Sequence, residues 1–279
     1  MWQLISIELF KIFKKPRTYI AFGAILLIVL LVQTALYADG KLYLDFMLQS
    51  FEQNFQINGV VLNGYFVCFV ILQTLLVHVP LLIALVAGDM VAGEANMGTL
   101  RLIASKPLSR TAFMLSKFFA SCLYTILLLC FMAFMALFVS MLIFGRGDLM
   151  ILKSDEVVLL DKADVLWRYA AAFGFASLSM ITVASLAFLF SVFADNSIGP
   201  IIAAMGVIII FTILTTLDIP LFNTIKPWLF TNHMLNWKGF FDRPVDYREI
   251  MKSIILLLLH ITIFVSLAVS VYRRKDILS

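Results

Sequence analysis

Charge is what this chain has least of. Of its 279 residues, 14% are Asp, Glu, Lys or Arg and 62% are apolar. A water-soluble domain carries about 25% charged and about 45–50% apolar residues. At a mean hydropathy of +1.02, a soluble globule would show water more apolar surface than monomers tolerate. Cysteine is also scarce. Cys68, Cys122 and Cys130 stand in apolar runs without a Cys-x-x-Cys pair, so neither a disulfide framework nor a thiolate metal site is indicated, and the three read as small buried hydrophobes. The net charge of +4 is spread over the flanks of apolar segments, which argues against a nucleic-acid partner. Gly-x-x-x-x-Gly-Lys-Ser/Thr is absent, so there is no phosphate-cradling loop. The histidines, His78, His233 and His260, form no metal motif. No Ser/His/Asp or paired-acid set falls on one side at one depth. Enzymatic chemistry and a cofactor held by this chain are therefore not expected.

Long apolar runs, by contrast, are abundant, and Phe alone occurs 26 times. A membrane-crossing helix needs about 20 mostly apolar residues. Six segments qualify: Tyr19–Ala38, Tyr65–Ala87, Ala112–Gly145, Trp167–Ala194, Ile198–Leu217 and Ile250–Tyr272. Unpaired backbone groups are too costly in lipid for anything but helices, so the fold class is an all-α integral membrane protein, read as one domain over 1–279. The first run exceeds the roughly 7–15 residues of a signal-peptide core and reads as a first span. The fourth is interrupted by Ser177, Ser179, Thr182 and Ser185, a pattern that fits close helix packing better than a polar path. Pro80 is expected to kink the second span.

Lys and Arg near the helix ends set orientation. Lys11, Lys14, Lys15, Arg17, Arg101, Lys106, Arg110, Lys117, Arg273, Arg274 and Lys275 gather on one side, and on the other side acids outnumber bases. Both termini are thus expected in the cytoplasm, with the protein in the cell (inner or cytoplasmic) membrane. The opening stretch, 1–16, reads as an amphipathic interfacial helix. Trp2, Ile5, Leu9, Ile12 and Phe13 share one face, and Glu8, Lys11, Lys14 and Lys15 lie opposite. Leu4 and Ile7 break the pattern. The outer loops are modest except 218–249, where Trp228, Phe230 and Trp237 fit an interface belt.

One segment is more specific. The loop 88–111 lies between the second and third spans on the cytoplasmic side. It carries Asp89 and Glu94, breakers at Gly93, Gly98 and Pro107, and Ser109 where a helix N-cap belongs. A short surface helix joined to two spans would pass a push from a partner to both. The run Gly93-Glu94, Gly98-Thr99-Leu100-Arg101, Pro107, Ser109-Arg110 and Lys117 resembles the signature of ABC-2 type permeases, the membrane subunits of ATP-binding-cassette exporters. Glu8–Lys11 resembles the family's opening, and Asn96-Met97 depart from its usual residues.

The resemblance implies a type V exporter-like ABC-2 fold. It implies an N-terminal elbow helix and a coupling loop whose Glu94, Gly98, Thr99, Leu100, Arg101, Pro107, Arg110 and Lys117 serve coupling to an ATPase. The partners it implies are two copies of a separate ATP-binding subunit, which would hold the ATP and Mg, and a second or related permease copy. The path would run between the second and fifth spans, where Phe69, Gln73, Thr74, Phe211 and Thr212 are the candidate lining residues. The alternatives are a polytopic enzyme, an ATP-independent carrier, or a non-transporting assembly factor or sensor on the same scaffold. The carrier reading is disfavoured because no Asp lies at a span centre.

Overall fold

The computed structural model describes residues 1–48, 61–100, 109–152, 157–217 and 219–275. Helix α1 (Trp2–Lys14) stops where Lys15 turns extended (φ −89°, ψ 133°), as a residue before proline must. Pro16 then opens α2 (Pro16–Leu48), which breaks at Asp39 (φ −121°, ψ 18°). The Thr18 hydroxyl donates to the Ile12 carbonyl and ties the corner between the two helices. Helix α3 (Gly64–Ala87) starts under the Asn63 side chain, which accepts from the N–H groups of Tyr65 and Phe66, and it runs unbroken through Pro80. Helix α4 (Asp89–Asn96) follows and ends at Met97, with Gly98 in the left-handed region at φ +68°, the usual glycine solution to a helix C-terminus.

Helix α5 (Arg110–Phe144) is long because it contains a π segment, Phe134–Val139. A π segment disturbs the regular carbonyl pairing. Here the buried Gln33 of α2 donates its amide to the Met135 carbonyl (3.1 Å) and to the Ser140 hydroxyl (2.9 Å). A hairpin of β1 (Leu149–Leu152) and β2 (Val157–Leu160) follows, antiparallel, with Leu149 opposite Leu160. Helix α6 (Lys162–Phe193) is capped by Asp161, and α7 (Ile198–Thr216) follows. Short turns at Pro220–Phe222 and Lys226–Trp228 lead to α8 (Phe230–Met234) and a 3₁₀ stretch, Leu235–Phe241. Helix α9 (Tyr247–Arg274) closes the described chain under the cap of Asp246.

Six helices among the described residues are long and apolar enough to cross a membrane: α2, α3 with α4, α5, α6, α7 and α9. This is a multi-pass membrane bundle; the first, second and sixth expected spans lie within these helices, and the third, fourth and fifth overrun their helices by one residue at the C-terminal end. The chief departure is the hairpin, which makes the loop after the third span partly β-structured. Its signal was present as two four-residue apolar runs flanking a polar stretch.

The fourth span, α6, is the axis of the bundle. Its most apolar stretch is 78% buried, against 11% for α9, and it packs on α3, α4, α5, α7 and α9. Ser179, Thr182 and Ser185 are buried with Ala172, Ala176, Ala184 and Ala187. Small side chains let neighbouring backbones approach, which is how helices associate where water supplies no driving force. The hydroxyls of Ser177, Thr182 and Ser185 bond back to carbonyls of their own helix. The cysteines divide: Cys68 is buried, Cys122 half-buried and Cys130 exposed. Cys130 therefore faces outward from its helix, which corrects the expectation of three buried thiols.

Candidate functional site

At one end of the bundle, α1 meets α4 and the start of α5, α4 meets the end of α6 and the head of α7, and the start of α5 meets the end of α9. The contact is ionic. Glu8 of α1 is 5% exposed, Glu94 of α4 5% and Lys117 of α5 1%. Lys117 Nζ lies 2.7 Å from Glu8 Oε2 and 2.8 Å from Glu94 Oε1. Lys11 Nζ lies 2.6 Å from Glu8 Oε1 and 2.8 Å from the same Glu94 oxygen. Two carboxylates and two ammonium groups thus form a closed, neutral square drawn from three helices. The other Glu94 oxygen, Oε2, is buried without a hydrogen-bond partner among the described residues. Lys117 also lies over the Phe113 ring at 4.8 Å, a further favourable seat for a cation.

Burial opposes the charge on Glu8, but Lys117 and Lys11 outweigh it and hold its pKa below the usual 4.5. Burial likewise opposes the charge on Lys11, and Glu8 and Glu94 outweigh it and raise its pKa above 10.5. A lowered carboxylate pKa gives stability that is full above its unfolded value and lost as pH falls through the folded one. A raised ammonium pKa gives stability that is full below its unfolded value and lost as pH rises through the folded one. These two groups therefore hold α1 across the whole window from 4.5 to 10.5.

A second cluster sits beside the first. Asp89 accepts from Lys15 Nζ at 2.5 Å, from Arg17 Nη1 at 2.7 Å and from the Ser197 hydroxyl at the head of α7. A Cβ on Gly93 would stand 2.5 Å from Asp89 Oδ1, so glycine is what leaves room for this carboxylate to turn inward. The first N–H groups of a helix lack intrahelical acceptors. In α4 those of Val91 and Ala92 donate to the Ser191 hydroxyl of α6, at 3.0 and 2.9 Å. Arg110 donates to the carbonyls of Arg273 and Lys275 (2.9 and 3.0 Å), where the end of α9 presents its unpaired acceptors. Lys275 donates to the Val192 carbonyl at 3.1 Å.

The expected coupling residues therefore divide. Glu94 and Lys117 point inward and bind each other, Arg110 holds the end of α9, and the Thr99 hydroxyl donates to the Glu94 carbonyl at 3.3 Å. Met97 and Gly98 are exposed, Thr99 and Leu100 half-buried. Arg101 and Pro107 lie outside the described residues. Ser109 precedes α5 as expected but makes no side-chain cap bond. Sequence periodicity placed Glu8 on the polar face of α1, opposite Trp2, and the structure buries Glu8 instead. Trp2 is 71% exposed, beside exposed Ile7 and Phe10. Glu8 turns inward because two ammonium groups await it, a compensation that a hydropathy pattern cannot register. Lys117 inside a predicted span was the legible hint.

The candidate path residues differ in their surroundings. Phe69 packs on Trp237 and Phe241 (ring centroids 5.5 and 5.4 Å apart), and Phe211 packs on Phe230 (5.7 Å). Thr74 bonds back to the Val70 carbonyl. Gln73 and Thr212 are exposed. At the opposite end of the bundle, His233 is buried. It contacts Ser253 (2.9 Å) and the Pro227 carbonyl (2.8 Å). No group of three His, Cys, Asp or Glu able to hold a metal occurs among the described residues.

Over 204 residues the chain is 26% identical to "Uncharacterized protein YhcI" of Bacillus subtilis (strain 168), an alignment that takes in 69% of this chain and 63% of that protein. The chain thus matches less than two thirds of that relative's length. A family described as "Protein of unknown function (DUF2705)" matches residues 24–278, all six spans except the first turns of α2, and the chain is a member of that family.

Proposed function

We propose that this multi-pass protein is the permease subunit of an ABC transporter of the ABC-2 type, driven by ATP hydrolysis on a separate subunit. The observation that supports this reading is the clamping of α4. Its Glu94 carboxylate binds α1 and α5, its Asp89 carboxylate binds Arg17 of α2, its first N–H groups bind α6, and its tip at Met97 and Gly98 stays exposed. An element so held moves as one body with four others, which is what force transmission from a docked motor requires. Glu94 and Lys117 then serve as internal struts, and the contact surface for the ATPase is the exposed turn after Asn96 with the loop that follows it. ATP and Mg would reside in that partner, present in two copies, beside a second permease copy. Both termini and α4 would face the cytoplasm.

The test is co-expression of the tagged chain with each candidate P-loop ATPase subunit of the same genome, followed by purification in mild detergent. The expected result is a stoichiometric complex that Met97→Glu dissociates and Glu94→Gln leaves intact but uncoupled, its ATPase turnover no longer driving transport. Purification of the chain without any ATPase, with transport by the chain alone in liposomes, would overturn the reading.

A further inference from the structure

The far end of α9 carries a feature that transport coupling does not use. A groove of about 610 Å³ runs between this helix and the turn Lys226–Trp228. Its floor is one apolar stripe of α9, made by Met251, Ile255 and the aliphatic stems of Arg248 and Lys252, at the i, i+3, i+4, i+7 spacing that shares a helix face. Its wall is Pro227 and Trp228. We propose that this groove binds an anionic phospholipid of the surrounding bilayer, with the phosphate on Arg248 and Lys252 and an acyl chain along Met251 and Ile255.

Order along the helix is the first argument. From Arg248 to Ile255 the helix rises about 10 Å, from the charged end of a spanning helix toward its apolar middle. A phospholipid has the same sequence of chemistry, acidic at the interface and hydrocarbon below. Trp228 is 65% exposed at the rim, where an indole suits the headgroup level.

Charge is the second. The Arg248 guanidinium has no ion pair among the described residues, and Lys252 has only a loose one with Glu249, 3.4 Å apart with both side chains more than half exposed. Asp246 is spent on capping the N–H groups of Arg248 and Glu249. A cationic rim above an apolar trough on a lipid-facing helix fits an anionic amphiphile and repels a cationic one.

The wall is also fixed in place. Asn236 donates to the Ser253 hydroxyl (2.6 Å), Ser253 meets His233 Nδ1 (2.9 Å), and His233 Nε2 donates to the Pro227 carbonyl (2.8 Å). His233 is 2% exposed and Ser253 0%. This buried chain ties the turn to α9 directly behind Lys252, so the groove is a built shape rather than a chance gap between mobile parts.

The experiment is thermal unfolding and native mass spectrometry of the purified chain in detergent, titrated with phosphatidylglycerol, phosphatidylcholine or inorganic phosphate. Phosphatidylglycerol should stabilise and be retained as a discrete adduct, while phosphatidylcholine and phosphate should not. Arg248→Gln with Lys252→Gln should weaken phosphatidylglycerol binding about ten- to thirtyfold, given roughly 1 kcal/mol per basic residue near an anionic lipid surface. Ile255→Trp should block the adduct by filling the trough while leaving the lipid-free melting temperature unchanged. Equal retention of the two lipids, or unchanged binding in the double variant, would overturn the proposal. So would loss of a dimer mass on Ile255→Trp, which would assign the groove to a second copy.

Discussion

Lys117 is a fully buried ammonium in a helix that crosses the membrane, and such a group persists only where its charge is answered. Two carboxylates answer it, from α1 and α4. Breaking a buried pair by removing one partner costs about 3–5 kcal/mol, because the other charge stays behind unpaired. Lys117→Met leaves Glu8 and Glu94 facing each other with Lys11 alone, so its melting temperature should fall sharply. Adding Glu8→Gln to Lys117→Met restores charge balance, because Lys11 then answers Glu94 alone, and should recover a large part of the loss. Thermal unfolding of the two single variants and the double variant checks this. Additive losses would mean that the four groups do not act as a unit. This part of the site was half legible. Glu94 and Lys117 stood out by motif, but the square needs Glu8 and Lys11 as well, and their facing depends on an 83-residue separation between Lys11 and Glu94 that no local pattern encodes.

The helices show where local pattern suffices and where it fails. Twenty apolar residues in a row admit one structure in lipid, so all six spans could be read from hydropathy. Their order of burial could not. The serines and threonine of α6 lowered its apparent quality as a span, yet the same small side chains let it become the axis. Glycine gives a sharper test of packing between elements. At Gly64, where α3 crosses α5, an added Cβ would lie 2.5 Å from Met141 Cα and 2.7 Å from the Ser140 carbonyl. Those neighbours are backbone and cannot turn aside. Gly174 in the middle of α6 has nothing within 4 Å. Gly64→Ala should therefore destabilise by about 1–3 kcal/mol through overpacking, and Gly174→Ala should stabilise by about 0.4–1 kcal/mol by restricting the unfolded chain. Melting temperatures in one detergent, compared pairwise, decide it. Equal shifts of one sign would show that α3 and α5 are not in backbone contact.

The bundle as a whole is unevenly covered, and that bears on its assembly. Gln73 and His78 are exposed on α3, nine and fourteen residues into a 24-residue helix, in the central part of a helix long and apolar enough to cross the bilayer. His78 satisfies one ring nitrogen on the Thr74 carbonyl at 2.8 Å. The Gln73 amide and the other imidazole nitrogen would meet hydrocarbon in a lone chain. Polar groups at that depth are costly unless partnered and face protein or a water-filled cavity. A second copy packed about a twofold axis would bring the two stripes together, and in such an isologous contact a residue near the axis meets its own counterpart. Val77, 67% exposed between the two polar positions, is the natural probe. In a background with Cys68, Cys122 and Cys130 replaced by Ala, Val77→Cys should form a disulfide-linked dimer under mild oxidation in native membranes. A cysteine at Leu142, 85% exposed on α5, should not. If Val77→Cys stays monomeric while Leu142→Cys cross-links, the copies meet through α5, and the polar stripe of α3 must instead face a different subunit or a water-filled path.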